Sequence, residues 1–218
     1  MNRDLLLKKL QAQYLYGIVD TGYVREEDFE TVARQLARGG VNIIQFRAKD
    51  WPESRLLDAC LRLAPLCKEL GVLFIVNDYP QVAARCGAEG VHIGQDDGKL
   101  DDVRKIVGPE MIIGRSTHSY EQACEGYREG ADYIGFGPLF PTNTKPGRPA
   151  IGLADISRVH ADIPSDYPVF CIGGVQPDRI EPILQAGARR VVIVSWLLKH
   201  ENIASAAESV IQRLKQDR

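Results

Sequence analysis

Residues 129–145 read EGADYIGFGPLFPTNTK, and this stretch contains one complete structural unit. Gly130 suits the left-handed end of a helix, and the apolar run at 133–136 predicts a short strand. Pro138 and Pro141 have a restricted φ and no amide proton, so the segment after the strand is predicted to be a restrained loop. The unit is therefore a helix end, a strand and a loop.

The loop of this unit carries two hydroxyls and an ammonium group, because Thr142, Thr144 and Lys145 lie within four residues. Together with free backbone N–H groups, these side chains suit a phosphate or a diphosphate. The loop is not a Walker loop, which requires GxxxxGK[ST] leading into a helix. A solvated surface loop is the alternative, but similar polar clusters follow other predicted strands and favour a binding site.

The same unit recurs along the chain. The predicted strands are Tyr14–Val19, Val41–Phe46, Val72–Val76, Gly90–Ile93, Met111–Gly114, Tyr133–Phe136, Val169–Ile172 and Val191–Val194. Their apolar residues do not alternate with polar ones, which is typical of parallel strands covered on both faces. Leucines at 5, 6, 7 and 10 predict a short helix within 2–12. The sequence predicts an α/β fold, a single (β/α)8 TIM barrel over residues 1–218 with a short N-terminal helix; an open doubly wound sheet is the alternative.

The composition fits one large soluble domain, since 44% of the 218 residues are hydrophobic and the formal net charge is −2. The near-neutral charge gives no support to nucleic acid as a partner, and no apolar run approaches the ~18 residues of a membrane span. The charged N-terminus does not resemble a secretory signal. The five cysteines form no zinc-binding pattern and are predicted to be mostly buried free thiols, which indicates the cytoplasm. The sequence leaves open whether the chain forms a homo-oligomer.

Polar side chains follow the second, third and fourth predicted strands. Alternation places Gln45, Arg47 and Lys49 on one side of the second strand end, which suits an anionic ligand, although a basic surface at a helix start would look similar. Asp78 follows the third strand, and Asp96 or Asp97 follows the fourth. Paired carboxylates near phosphate-binding groups indicate Mg²⁺, whereas helix capping is the structural alternative. His92, inside the fourth strand, is predicted to be a packed, hydrogen-bonded side chain.

The last strands predict a second anion site. Ser116 follows the fifth strand and is a candidate phosphate or substrate ligand, whereas Ser119 resembles a helix N-cap with Gln122. Gly173 and Gly174 follow the seventh strand, and Ser195 follows the eighth. Loops at these two positions of a barrel often bind phosphate. Anion sites at 142–145 and 173–195 together predict a phosphate and a diphosphate as substrates, or one doubly phosphorylated substrate.

These motifs, taken together, resemble the thiamine-phosphate synthase family, also called thiamine-phosphate pyrophosphorylase. The matching segments are QFRAK at 45–49, VNDY at 76–79, GVHIGQDD at 90–97, GRSTHS at 114–119, GFGPLFPTNTKPG at 135–147, IGGV at 172–175 and VVIVS at 191–195. They are colinear and span nearly the whole chain after residue 14.

The resemblance implies a barrel that joins 4-amino-2-methyl-5-hydroxymethylpyrimidine diphosphate to a thiazole phosphate. The products are thiamine phosphate and pyrophosphate, and Mg²⁺ is required. The resemblance implies these ligands: Asp78 and Asp97 for Mg²⁺; Arg47, Lys49, Asn77 and Lys145 for the diphosphate; Gln45 and Ser116 for the pyrimidine; Thr142 and Thr144 for the thiazole phosphate; and Gly174, Val194 and Ser195 for that phosphate or for the product. Lys145, Ser116, Arg47 and Lys49 are the implied catalytic residues. The implied substitution is dissociative: pyrophosphate leaves, the aminopyrimidine stabilises the resulting cation, and the thiazole nitrogen attacks.

Three positions depart from the family pattern. Ala48 stands where relatives often have Glu, and alternation turns it away from the site. Tyr79 replaces an Arg found in many relatives, and Trp196 replaces a small residue beside the phosphate end. Two other functions remain as alternatives, a thiazole tautomerase-like isomerase and a non-catalytic phosphate-ligand-binding barrel. The tautomerases lack the T-x-T-K loop and have His at the position of Pro138, and a sensor need not keep Asp78, Asp97 and Lys145.

Overall fold

Parallel strands close into a barrel in the computed structural model, which describes residues 2–142, 144 and 147–216. The strands are β1 (Leu15–Asp20), β2 (Ile43–Arg47), β3 (Leu73–Asn77), β4 (Gly90–Ile93), β5 (Ile112–Thr117), β6 (Tyr133–Phe136), β7 (Val169–Cys171) and β8 (Val191–Ile193). Each strand pairs in parallel with the next one in sequence, and β8 pairs with β1, with Leu15 opposite Val191. The prediction of a closed (β/α)8 barrel, rather than an open sheet, is confirmed.

Helices precede, connect and follow the strands. They are α1 (Arg3–Gln11), α2 (Phe29–Arg38), α3 (Glu53–Glu69), α4 (Pro80–Cys86), α5 (Leu100–Val107), α6 (Tyr120–Arg128), α7 (Ile156–Asp162), α8 (Pro177–Gln185), α9 (Ser195–Leu198) and α10 (Ile203–Gln216). The predicted N-terminal helix is α1, and Ser119 caps α6 by accepting a hydrogen bond from the Gln122 amide, as expected. Among the described residues, no helix is both long and apolar enough to cross a bilayer.

The apolar side chains form two layers. One lies between the strands and the outer helices and includes Leu36, Phe46 and Phe74. The other fills the barrel interior and includes Tyr133 and Phe170. Because both faces of each strand are covered, every strand is buried almost throughout, which explains why the apolar runs in the sequence do not alternate.

Helix α1 covers the end of the barrel where the strands begin. Leu6 and Leu10 pack into the interior layer and are almost completely buried. Asp132, just before β6, accepts hydrogen bonds from Arg3 of α1 at 2.5 Å and from Arg104 of α5 at 3.0 Å. The opposite end, where the strands finish, is therefore the open end of the barrel.

Candidate active site

A cleft lies at the carboxyl ends of the strands, the end at which barrel enzymes carry their active sites. It encloses about 780 Å³, including space open to solvent. The predicted site residues that line it are Gln45, Arg47, Asn77, Ser116, Thr142, Thr144 and Val194. The structure thus brings together side chains from β2, β3, β5, the loop after β6 and the end of β8.

Arg47 is held by a carboxylate that the sequence analysis did not predict. Arg47 and Asp20 are opposite each other in the register of β2 and β1, and the Arg47 Nη1 lies 2.7 Å from the Asp20 Oδ2. Both side chains are buried. The Nε of Arg47 is buried without a hydrogen-bond partner in the described part of the chain, so the ion pair with Asp20 leaves one donor of this guanidinium unpaired. Lys49 is exposed and lines an adjoining cleft with Arg47 and Thr144.

A chain of hydrogen bonds crosses the barrel interior beneath the cleft. The Gln45 amide donates to the Tyr16 hydroxyl at 2.9 Å, and this hydroxyl lies 2.9 Å from that of Tyr133. The Tyr133 hydroxyl lies 3.1 Å from the His92 Nδ1, and the His92 Nε2 lies 2.9 Å from the Ser116 Oγ. Gln45 thus has the partner that an amide in an apolar run requires, and His92 is packed and hydrogen-bonded as predicted.

Burial favours the protonated form of the two tyrosines in this hydrogen-bond chain, Tyr16 and Tyr133. Removal from water raises the pKa of Tyr16 above its usual value, although its hydrogen bonds with Tyr133 and Gln45 act the other way. Burial also raises the pKa of Tyr133 well above its usual value, with the neighbouring Tyr16 adding to the effect. Both hydroxyls therefore remain donors as well as acceptors. The sequence offered a signal for them, since a buried phenol in an apolar run needs a partner as much as Gln45 does.

The loop after β6 packs against the loop after β7. The Leu139 amide donates to the Ile172 carbonyl at 2.8 Å, and the Phe140 amide donates to the Gly173 carbonyl at 3.0 Å. Within the loop, the Thr144 amide donates to the Thr142 Oγ1 at 3.3 Å, and the Tyr23 hydroxyl lies 3.1 Å from the Thr144 Oγ1. Lys145, predicted as a catalytic diphosphate ligand, lies outside the described residues.

A second cleft adjoins the first and is lined by the predicted phosphate residues Gly174, Val194 and Ser195. Thr142, Thr144 and Val194 line both clefts. Gly174 has a φ of +64°, and a Cβ at this position would lie 2.8 Å from the Phe140 Cβ. Glycine is therefore needed here for the contact between the two loops, as well as for any close approach by an anion.

The second cleft also contains two cations that the sequence analysis missed. The Lys199 ammonium lies 5.3 Å from the centre of the Tyr23 ring. The Arg179 guanidinium lies over Phe140 and donates to the Gly174 carbonyl at 2.7 Å. Both residues lie in or just after the helices that follow β7 and β8, where no strand-end pattern points to a ligand.

The two predicted metal ligands follow neighbouring strands. Asp78 directly follows β3, has a φ of +65°, and donates from its amide to the His92 carbonyl of β4 at 2.8 Å. Asp97 follows β4 and is exposed, and its Oδ2 accepts a hydrogen bond from the Gly94 amide at 2.6 Å. Among the described residues, no group of three or more His, Cys, Asp or Glu side chains is placed to hold a metal. Two carboxylates do fit Mg²⁺, which commonly takes one or two and completes its shell with phosphate oxygens and water.

Comparison with known proteins gives the same family as the motifs. Residues 15–197 match the family described as thiamine monophosphate synthase. The chain belongs to this family. It is 40% identical over 201 residues to the thiamine-phosphate synthase of Thermus thermophilus, covering 92% of this chain and 96% of that protein. It is 36% identical over 203 residues to the thiamine-phosphate synthase of Shouchella clausii, covering 93% and 96%.

A solved structure is similar throughout. The thiamine phosphate pyrophosphorylase of Pyrococcus furiosus superposes with a TM-score of 0.84 at 30% identity, covering 97% of this chain and 98% of that one. The similarity covers nearly all of both chains, so the barrel described above is also the fold of this solved relative.

The departures from the family pattern have different surroundings. Ala48 is 3% exposed and packs in the layer between strands and helices, so it faces away from the cleft as predicted. Tyr79 is half-buried against the same layer. Trp196 lines the second cleft, and its ring centre lies 5.3 Å from that of His200. Of the three, Trp196 is the one beside the predicted phosphate site.

Proposed function

We propose that this chain is a magnesium-dependent transferase that joins 4-amino-2-methyl-5-hydroxymethylpyrimidine diphosphate to thiazole phosphate. The products are thiamine phosphate and pyrophosphate. The observation that supports this most directly is the pair of adjoining clefts with Thr142, Thr144 and Val194 in their common wall. Two anionic substrates bound side by side would place a diphosphate and a phosphate in adjoining sites. Family membership supports the same reaction.

In the proposed reaction, the bond between the pyrimidine methylene carbon and the diphosphate oxygen breaks, and the electron pair leaves with pyrophosphate. The electron-rich aminopyrimidine stabilises the cation. The lone pair of the thiazole nitrogen then forms the new C–N bond, so no proton needs to be removed. The cations and hydroxyls that line the two clefts would stabilise the charge that develops on the leaving group, and no step of this reaction requires a general base.

The diphosphate is assigned to Arg47, Lys49, Asn77 and Lys145, whose donors would stabilise the charge that develops on the leaving group. Asp78 and Asp97 would hold Mg²⁺, which when bound supplies further positive charge to the diphosphate oxygens. Gln45 and Ser116 are assigned to the pyrimidine ring. Thr142 and Thr144 are assigned to the thiazole phosphate, with Gly174, Val194 and Ser195 at its phosphate end.

The cytoplasm is the compartment we propose. All five cysteines lie within the described residues and are free thiols, and Cys60, Cys67 and Cys171 are buried. Persistent free thiols are typical of a reducing compartment.

The test is pyrophosphate release by the purified chain. We expect release only when both substrates and Mg²⁺ are supplied. Lys145→Ala should lower kcat by about a hundredfold, the order found when one donor to a developing anion is removed. Lys105→Ala is the matched control, because Lys105 is exposed and pairs with Asp102 on α5. If either substrate binds but no pyrophosphate appears, the synthase function is wrong, and a tautomerase or a phosphate-ligand sensor takes its place.

A further inference from the structure

The hydrogen-bond chain from Gln45 to Ser116 has a defined direction. The Gln45 amide nitrogen can only donate, so the Tyr16 oxygen accepts at this contact. Tyr16 is 2% exposed, and in the described part of the chain its hydroxyl contacts the Gln45 amide and the Tyr133 hydroxyl. Because a buried O–H group must be paired, the Tyr16 proton points to the Tyr133 oxygen.

The remaining hydrogen bonds, as far as Ser116, have a defined direction too. Tyr133 accepts from Tyr16 and has one proton of its own, which can go to the His92 Nδ1 at 3.1 Å. A neutral imidazole that accepts at Nδ1 carries its proton on Nε2. The Nε2–H group then donates to the Ser116 Oγ at 2.9 Å, and the Ser116 hydroxyl proton is left to point into the cleft.

We propose that Tyr16 and Tyr133 are positioning residues that fix His92 as the Nε2–H tautomer and thereby make Ser116 a hydrogen-bond donor to the bound pyrimidine. The inference rests on the proposed function for the identity of the pyrimidine ring. The direction of the hydrogen bonds from Gln45 to Ser116, by contrast, is a property of the protein itself. Neither phenol needs to gain or lose a proton in the reaction.

This direction would allow the site to distinguish an aminopyrimidine from an oxopyrimidine. An aminopyrimidine has a ring nitrogen that accepts and an exocyclic amine that donates. Ser116 would match the first, and the Gln45 carbonyl oxygen would match the second. In the oxo analogue the corresponding ring nitrogen carries a proton and the exocyclic oxygen accepts. The Ser116 donor would then meet a second donor, and the Gln45 oxygen would meet a second acceptor.

The first measurement is the tautomer of His92 in the wild-type protein without substrate. Long-range ¹H–¹⁵N spectra suffice, because the chain contains 4 histidines and His92→Gln identifies the signal. At about pH 8, where imidazoles are ordinarily neutral, we expect the Nε2–H tautomer. An Nδ1–H tautomer in the wild type would overturn the proposal without any reference to catalysis.

The second measurement uses Tyr133→Phe and Tyr16→Phe, which remove one oxygen each and keep the ring contacts with Phe170. Tyr167→Phe is the matched control, because its hydroxyl donates to the Ala131 carbonyl at 2.8 Å away from the cleft. We expect the Nδ1–H tautomer to rise in Tyr133→Phe. We also expect the preference in kcat/KM for the amino substrate over its oxo analogue to fall about tenfold, the effect of one directed hydrogen bond.

The outcomes separate this inference from the proposed function. If the wild type releases no pyrophosphate, the proposed function fails, while the tautomer measurement still decides the direction of the chain. The positioning role is wrong if the wild type is active but the two cleft variants, Tyr133→Phe and Tyr16→Phe, behave like the control Tyr167→Phe. They would then show the same His92 tautomer and the same preference for the amino substrate as the control. A loss of kcat with an unchanged preference also contradicts it, because it would indicate a purely structural effect.

Discussion

The Arg47 guanidinium and the Asp20 carboxylate form a buried ion pair, with 2.7 Å between Nη1 and Oδ2. The contact joins the ends of β1 and β2 at the wall of the first cleft. A cation paired in this way is fixed before any ligand arrives, and part of its charge is already balanced. Asp20 would therefore determine how strongly Arg47 attracts an anion as well as where it lies.

Removing Asp20 should destabilise the empty protein. In Asp20→Asn, Arg47 would remain buried without its counterion, and the loss of one partner of a buried pair typically costs about 3 kcal/mol or more. Pyrophosphate should restore part of this loss, because it would supply an anion to the same guanidinium. Urea unfolding with and without pyrophosphate measures both effects. Asp28→Asn is the control, since its pair with Arg25 is exposed, screened by solvent and expected to contribute little to stability.

The two acidic residues after β4 should differ in their effect on magnesium. Asp97 lies in the predicted metal site, and its side chain could keep the Gly94 hydrogen bond through the amide oxygen in Asp97→Asn. Asp96, one residue earlier, has a side chain that is 91% exposed. We expect Asp97→Asn to raise the Mg²⁺ concentration needed for half-maximal rate by about tenfold or more, as for the loss of one of two carboxylate ligands. If Asp97→Asn and Asp96→Asn need the same Mg²⁺ concentration for half-maximal rate, the prediction that Asp97 is a magnesium ligand is wrong.

Lys199 should contribute to binding of the thiazole phosphate. Its ammonium lies over the Tyr23 ring at the wall of the second cleft. Lys199→Ala should raise the KM for thiazole phosphate about fivefold, as expected for an exposed charge-assisted hydrogen bond of ~1 kcal/mol, and leave the KM for the pyrimidine diphosphate unchanged. Lys215→Ala is the control, because Lys215 lies over a tyrosine ring in a similar way, 5.8 Å from Tyr14, and does not line the described clefts. If the KM for thiazole phosphate is similar in Lys199→Ala and Lys215→Ala, Lys199 does not contribute to binding of this substrate.

His160 should make the protein sensitive to acid. Burial, together with the nearby charges of Arg189 and Arg190, lowers the pKa of His160 to about 4. In the unfolded chain the imidazole binds its proton near the usual value of 6.5, so the unfolded state binds more protons between these two values. Stability should therefore fall as the pH drops from about 6.5 to about 4, and less so in His160→Gln. Unfolding curves of both proteins across this range test the effect, and a constant difference between them would contradict it.

The strands could be predicted because their signal is local. Each apolar run overlaps a strand of the barrel, since a strand buried on both faces needs uninterrupted apolar residues. The site residues at the strand ends could be predicted for the same reason: Gln45 and Arg47 alternate along a single strand. The resemblance to a known family then supplied their predicted roles, which no local pattern contains.

The contacts between strands could not be read in the same way. Asp20 directly follows a predicted strand, but its partnership with Arg47 depends on the register of β1 against β2. Tyr16 and Tyr133 are 117 residues apart, and their hydroxyls meet only because the barrel closes. Lys199 reaches the second cleft from the segment after α9, which carries no strand-end pattern that would indicate a ligand. These features depend on closure, which is set by the whole sheet.

The buried chain from Gln45 to Ser116 draws one residue each from β1, β2, β4, β5 and β6. The loops after β6 and β7, which are predicted to bind phosphate, are by contrast continuous segments. Those loops could be grafted onto an unrelated barrel, and the graft would be expected to retain some anion binding. The proposed preference for an aminopyrimidine could not be transferred in this way, because it depends on residues from five different strands. Each of those strands would have to be redesigned.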